Sequence, residues 1–337
     1  MKDLFHFQWH ITNLCNLRCH HCYQEDFSKN DDLDEAGLKK ISDNVLSTLR
    51  EWSKVACIHL TGGEPLLKPE LFPLLNDLNE QRMVGELGMI TNGLLFNREV
   101  VKRLSVFSKL KKIKISLDGA SAEISDSIRY QGSFEKVIKN LSLIKKEGRF
   151  EVILMFTVMK RNYKSLLSLL KLCEDLDVDG LIIERFIPWG RGREIMEEVL
   201  EKDQWKEMVE TLFGFFSMGM ENDDATPYQA FQVSFNRGEQ ELSGAPCVIG
   251  VDGLCIMPEG SVFPCRRFPI AAGNLLEDSL KTIWEKSEIL ERLRRKENLK
   301  GKCGKCEVKD CRGCRSLALC LTGDDLAEDP HCWYDLK

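Results

Sequence analysis

Residues 15–23 read Cys15-Asn16-Leu17-Arg18-Cys19-His20-His21-Cys22-Tyr23, a C-x3-C-x2-C run that follows a β-like stretch, Phe5–Thr12. Three thiolates this close can each hold one iron of a 4Fe–4S cube. The run has no fourth cysteine, so one iron of such a cube stays open to another ligand. That pattern points to a reactive cluster more than to an electron carrier. The competing reading is a zinc knuckle.

Further β-like runs recur at Ala56–Thr61, Glu86–Thr91, Lys112–Leu117, Phe150–Val158 and Gly180–Ile187. Helical patterns fill the gaps. Phe134, Val137, Ile138, Leu141 and Ile144 lie on one face of a helix, as do Tyr163, Leu166, Leu167, Leu170 and Cys173. Six strands alternating with helices imply a parallel sheet with right-handed crossovers. The repeat alone does not separate an open sheet from a partial barrel.

The candidate motifs end those strands. The cysteine triplet follows the first, and Thr61-Gly62-Gly63-Glu64-Pro65 follows the second. Thr91-Asn92-Gly93 ends the third, and Ser116-Leu117-Asp118-Gly119 ends the fourth. In parallel α/β folds that edge binds ligands.

The chain has 337 residues, enough for one large domain and a smaller one. Its 43% hydrophobic and 30% charged content is that of a soluble globular protein. A formal charge of −6 gives no support to a nucleic-acid partner. Apolar stretches such as Thr211–Met220 are too short to span a bilayer, and no apolar signal segment opens the chain. The expectation is a cytoplasmic protein with no membrane partner.

Of 14 cysteines, three lie at residues 15–22 and nine at 247–332, leaving only Cys57 and Cys173 between. Metal binding explains that distribution better than disulfides do. Residues 188–244 read as a connector: a Pro188–Gly192 loop, a helix over Lys202–Met218 and a polar Glu221–Pro227. From Ala245 the texture becomes cysteine-rich loops with one helix near Ser279–Arg295, and the charge-rich helix Glu285–Lys300 reads as a solvated face. The boundary is placed near residue 240, giving parts 1–240 and 241–337. The histidines His6, His10, His20, His21, His59 and His331 form no ligand spacing.

The C-x3-C-x2-C run with its trailing aromatic, plus the Gly-Gly-Glu-Pro run after the next strand, resembles the radical S-adenosylmethionine superfamily across nearly the whole chain. The resemblance implies a partial (β/α)6 TIM-like barrel and a cluster whose open iron is chelated by S-adenosylmethionine. Reductive cleavage of that cofactor then yields a 5′-deoxyadenosyl radical. Carried over by position, Cys15, Cys19 and Cys22 are cluster ligands and Tyr23 shields the cluster. Gly62, Gly63 and Glu64 would meet the methionyl amino group. Asn92, Ser116 and Asp118 would meet the ribose or the methionyl end, although Asn-Gly and Asp-Gly are also ordinary turn formers. Arg129 and Arg185 could bind the cofactor carboxylate or be salt-bridged.

The C-terminal cysteines resemble the SPASM extension, which carries two auxiliary 4Fe–4S clusters. The block Cys303-x2-Cys306-x4-Cys311-x2-Cys314 departs from the family's C-x2-C-x5-C-x3-C by one residue in each later gap. By family order, Cys247, Cys255, Cys265 and Cys314 would hold the first auxiliary cluster, and Cys303, Cys306, Cys311 and Cys332 the second. That implies three clusters in all. Cys57 and Cys173 then read as small buried hydrophobes, while Cys320 could replace Cys255 or Cys314. The rival reading of the paired C-x2-C motifs is zinc.

The substrate stays open. Many SPASM enzymes acting on ribosomal peptides carry a fused leader-binding domain, and none precedes the first strand here. Arg266-Arg267 follow Cys265, where the related sulfatase-maturing enzymes carry an aspartate base; that argues against their activity. The segments from Cys314 and from Thr322 to Cys332 resemble the ends of enzymes that oxidise tetrapyrrole side chains or mature metallocofactors. The first expectation is oxidative modification or cross-linking of a ribosomal peptide. The second is decarboxylation of a tetrapyrrole or metallocofactor maturation, with Arg266 and Arg267 clamping carboxylates. A third, from another class, is a multi-cluster electron-transfer protein. The enzymatic readings need a low-potential reductant such as flavodoxin or ferredoxin.

Overall fold

The computed structural model describes residues 3–218, 228–236, 239–308 and 311–334. Six strands and their crossover helices come first: β1 (Leu4–His10), α1 (Glu35–Glu51), β2 (Val55–Thr61), α2 (Leu71–Glu80), β3 (Val84–Thr91), α3 (Arg98–Leu104) and β4 (Leu110–Ser116). They continue through α4 (Ala122–Ile128), α5 (Ser133–Glu147), β5 (Glu151–Val158), α6 (Leu166–Asp175) and β6 (Gly180–Arg185). β1 to β6 pair in parallel in sequence order. Each lies within two residues of its reading from the sequence. This is the partial barrel of radical S-adenosylmethionine enzymes.

Alternation along the strands gives the barrel two chemically different faces. Phe7 and Trp9, Ile58 and Leu60, Ile113 and Ile115, Leu154 and Phe156 are buried in the main core, under the helices. The opposite positions carry His6, Gln8 and His10, Cys57 and His59, Lys112 and Lys114, Thr157 and Glu184. Side chains alternate across a strand, so the inner face is largely polar, with Ile90, Met155 and Ile182 among its apolar members. Parallel strands covered on both sides are usually apolar throughout. Here the inner face lines cavities.

The sheet does not stop at six strands. After α7 (Lys202–Phe215), the hairpin β7 (Tyr228–Asn236) and β8 (Glu239–Pro246) adds to the free edge of β6, antiparallel. β9 (Gly253–Ile256) then returns to the other edge and pairs parallel with β1, followed by β10 (Ser261–Phe263) and β11 (Gly273–Asn274). The result is one sheet of eleven strands, ordered β11-β10-β9-β1-β2-β3-β4-β5-β6-β7-β8. The boundary read near residue 240 falls inside the hairpin, and the cysteine-rich part continues the sheet.

Two readings change. The connector contains a strand pair in addition to its loop and helix; its stretch Glu221–Pro227 lies outside the described residues. The single helix near Ser279–Arg295 is two, α8 (Leu280–Lys286) and α9 (Glu288–Arg294), broken where Ser287 turns extended at ψ 117°. The segment read as solvated buries Leu290 and Leu293 completely. Last comes α10 (Arg315–Thr322).

Candidate active site and cysteine groups

The loop after β1 is locked from both sides. The Thr12 hydroxyl donates to Asp32 at 2.5 Å, and the Gln24 amide donates to Asn13 O at 3.0 Å. On the other side, the N–H groups of Gly63 and Glu64 donate to Thr12 O and Leu14 O, each at 2.8 Å. A Cβ on Gly62 would stand 2.3 Å from Thr12 O, and one on Gly63 would stand 2.3 Å from Leu14 O. Glycine is required here because the β2 turn packs backbone to backbone against the cysteine loop.

Cys15, Cys19 and Cys22 open onto one cavity of about 120 Å³ at the C-terminal ends of the strands. Tyr23, Gly62, Gly63, Asn92, Ser116, Arg129 and Arg185 line it too. The Asn92 amide donates to Asn16 Oδ1 at 2.8 Å and lies 3.9 Å from Cys15 Sγ. The Tyr23 ring stands edge-on to His10 at 5.7 Å, with the Arg266 guanidinium 5.4 Å from it.

Two of the sequence candidates lie behind the cavity wall. Glu64 is fully buried and its carboxylate accepts from the Thr91 hydroxyl and the N–H groups of Asn92 and Leu66. Burial pushes its pKa up to about 7, against those hydrogen bonds. It ties the β2 and β3 turns together. Asp118, also fully buried, pairs with Arg129 Nε at 2.7 Å and His21 Nε2 at 3.3 Å, and accepts from Thr157 N–H. Asp118 therefore holds Arg129 and His21 in place, while Arg129 faces the cavity.

The remaining cysteines sort into two groups. Cys247, Cys255, Cys265 and Cys314 line a second cavity of about 400 Å³, on the inner face between β1 and β6. Cys303, Cys306, Cys311 and Cys332 line a small third one. Cys320 lines none of these; its thiol donates to Pro188 O at 2.9 Å. Cys173 is fully buried in the main core. Cys57 is buried, with its sulfur 3.8 Å from Glu86 Oε1.

Seven of the eleven grouped cysteines have a backbone N–H aimed at the sulfur. Backbone N–H groups point at the sulfurs of Cys15 (from Leu17), Cys22 (from Gln24), Cys247 (from Ile249) and Cys303 (from Asp329). The same holds for Cys311, Cys314 and Cys332, from Gly313, Leu317 and Tyr334. Such donors stabilise thiolates and tune iron–sulfur clusters. Cys57 and Cys320 instead face oxygen acceptors, as protonated thiols do. On this ground those seven fit thiolate-held clusters, while Cys255 has its thiol toward Ile256 O at 4.0 Å.

Two carboxylates the sequence did not single out, Glu184 and Asp329, complete the site by pairing with arginines that it did. Glu184 on β6 pairs with Arg266 Nη2 at 2.6 Å and Arg267 Nη2 at 3.6 Å. Arg185 pairs with Asp329 at 2.9 Å, so it is salt-bridged while still lining the cavity. The alternation of β6 signals Glu184; that it pairs with Arg266 and Arg267, some eighty residues away, carries no local signal.

A barrel whose strand ends gather three cysteines, two close-packed glycines and a paired arginine defines a radical S-adenosylmethionine enzyme. The chain belongs to that superfamily: its family model matches residues 9–173, and the SPASM iron–sulfur cluster-binding domain model matches 247–314. Those domains imply a cluster that binds S-adenosylmethionine and auxiliary clusters besides. Among similar proteins is the AdoMet-dependent heme synthase of Methanosarcina barkeri, 31% identical over 97% of this chain and 95% of that protein. Another is the mycofactocin maturase MftC of Mycobacterium tuberculosis, 29% identical over 96% of this chain and 81% of that one. In fold, the chain matches Streptococcus suis SuiB bound to precursor peptide SuiA with TM-score 0.75 and 16% identity, covering 99% of this chain and 77% of SuiB. No helix among the described residues is long and apolar enough to cross a membrane.

Proposed function

We propose that this enzyme oxidatively decarboxylates a carboxylate-bearing substrate of the tetrapyrrole class. The observation that carries the reading is the basic wall shared by the two larger cavities, where Arg185, Arg266 and Arg267 line both and the one carboxylate among the described residues is Glu184, paired with Arg266 and Arg267. Tetrapyrrole side chains supply carboxylates to such a wall. Similarity to a heme synthase over nearly the full length of both chains supports the same reading. The peptide reading, placed first on sequence alone, becomes second and is supported by the similarity to a mycofactocin maturase.

In this reading Cys15, Cys19 and Cys22 hold the first [4Fe–4S] cluster. The two C-terminal groups hold one auxiliary cluster each, three clusters in all. Bound there with S-adenosylmethionine, the first cluster supplies a 5′-deoxyadenosyl radical. Gly62, Gly63, Asn92, Ser116 and Arg129 face the cofactor, and Asp118 fixes Arg129. Tyr23, half-buried between His10 and Arg266, would shield the cluster from water. Overall, a propionate becomes a vinyl group with loss of carbon dioxide; the hydrogen atom would go to the 5′-deoxyadenosyl radical, giving 5′-deoxyadenosine, and the electron to an oxidised auxiliary cluster. A low-potential reductant such as flavodoxin or ferredoxin starts the cycle.

The test is anaerobic incubation of the reconstituted protein with dithionite, S-adenosylmethionine and iron coproporphyrin, a porphyrin carrying propionates. The expected result is 5′-deoxyadenosine with carbon dioxide and vinyl products. An unchanged porphyrin beside a candidate peptide that loses two hydrogens would move the assignment to peptide maturation. Absence of 5′-deoxyadenosine under every condition would leave electron transfer.

A further inference from the structure

The cluster cavity and the 400 Å³ chamber have a common wall of Glu184, Arg185, Ile187, Arg266 and Arg267. Glu184 is the sole carboxylate among the described residues lining either cavity. Its ion pairs are to Arg266 and Arg267. Arg267 also donates to Arg185 O at 2.7 Å, which fixes its position against β6.

Lys114, from β4, enters the same chamber and is not among the ion-paired partners of Glu184. Arg266 is nearly buried, and its Nε has no hydrogen-bond partner. Three cations thus face one carboxylate in a site withdrawn from water. Buried charge left uncompensated is costly, and beyond the four cysteines of the first auxiliary group this chamber offers the cations no carboxylate but Glu184 among the described residues.

We propose that this wall is a carboxylate-binding site, in which Arg266, Arg267 and Lys114 hold a carboxylate of the bound substrate and Glu184 competes for the same cations. The inference rests on the reading above that the substrate carries carboxylates. It adds which groups hold them and where, on the chamber side of the cluster cavity. Arg266 and Arg267 offer planar forks suited to a carboxylate, and Lys114 offers a point charge.

Binding to the cluster-loaded protein, measured by equilibrium dialysis, tests the site apart from turnover. The probes are iron coproporphyrin, its fully esterified form and labelled glutarate. The acid should bind about tenfold or more tightly than the ester, one charge-assisted contact being worth that much. Arg267→Gln and Lys114→Met should each weaken the acid and leave the ester unchanged. Glu184→Gln should tighten the acid, a gain that no misfolded variant would show. Glutarate binding that responds to the same variants, with no porphyrin bound, would keep the site and overturn the tetrapyrrole reading. Equal binding of acid and ester, or variants without effect, would mean that the cations only balance the cluster thiolates. That would overturn the site even if decarboxylation were observed. Failure of every probe to bind would overturn it as well.

Discussion

Arg185 Nη1 on β6 lies 2.9 Å from Asp329 Oδ2, and the two side chains are 4% and 3% exposed. The same carboxylate accepts from the N–H groups of Cys314 at 2.7 Å and His331 at 2.9 Å. The Asp329 N–H in turn points at Cys303 Sγ, 3.4 Å away. One aspartate thus ties the barrel to both C-terminal cysteine groups. Burial alone would raise the Asp329 pKa, but Arg185 and its hydrogen bonds reverse that and hold the carboxyl low.

Asp329→Ala should therefore cost about 3–5 kcal/mol, because it removes the carboxylate that pairs with a buried arginine. Anaerobic chemical denaturation measures the loss, and iron analysis should show depletion of the two C-terminal groups. Removing both partners in Arg185→Met/Asp329→Leu should destabilise less than Asp329→Ala. If the double variant lost the sum of the single losses, the coupling would be absent.

The strands were legible because each carries a short apolar run, the first four closed by a motif, and the cysteines because they cluster at spacings that metal clusters use. The hairpin of β7 and β8 was not legible. Residues 239–246, Glu-Gln-Glu-Leu-Ser-Gly-Ala-Pro, have little strand propensity, and the pair depends on the free edge of β6. The break at Ser287 was hidden by Leu280, Ile283, Leu290 and Leu293, whose spacing continues one helical face across it. Glu64 and Asp118 were found as residues but misplaced in depth. Sequence position puts both at strand ends; only the partners Thr91, Asn92, Arg129 and His21 show that they sit behind the wall.

The grouping of the cysteines predicts how iron will be lost. Replacing Cys15, Cys19 and Cys22 together with alanine should leave about two-thirds of the wild-type iron, for three clusters of equal size, and abolish S-adenosylmethionine cleavage. Cys320→Ala should leave the iron content unchanged, since that thiol is engaged by Pro188 O. A proportional fall with Cys320→Ala would place it among the ligands. Zinc in place of iron in the C-terminal part would remove the auxiliary clusters from the account.

Gly63→Ala should act on the first cluster without unfolding the barrel. Its Cβ would meet Leu14 O at 2.3 Å, and backbone cannot yield as a flexible side chain can. The cysteine loop would have to move away from β2. Expected are a native far-ultraviolet circular dichroism spectrum, loss of about one-third of the iron and no S-adenosylmethionine cleavage. Full iron content with normal cleavage would show that the loop tolerates displacement.

Glu64 gives stability a pH dependence of defined sign. Its ordinary pKa is 4.5, and in the folded chain burial raises it to about 7. Between those values the folded protein holds a proton that the unfolded chain has lost. This group's contribution is therefore fully present below the unfolded value and falls as pH rises through about 7. From pH 6 to pH 8 the loss is on the order of 1.4 kcal/mol, one unit's worth. Glu64→Gln cannot ionise and can still accept from Thr91 or Asn92 through its carbonyl oxygen. The stability of Glu64→Gln relative to wild type should rise across that range in anaerobic denaturation at each pH. A constant difference would mean that the Glu64 carboxyl is already ionised at pH 6, stabilised by the hydrogen bonds it accepts from Thr91, Asn92 and Leu66.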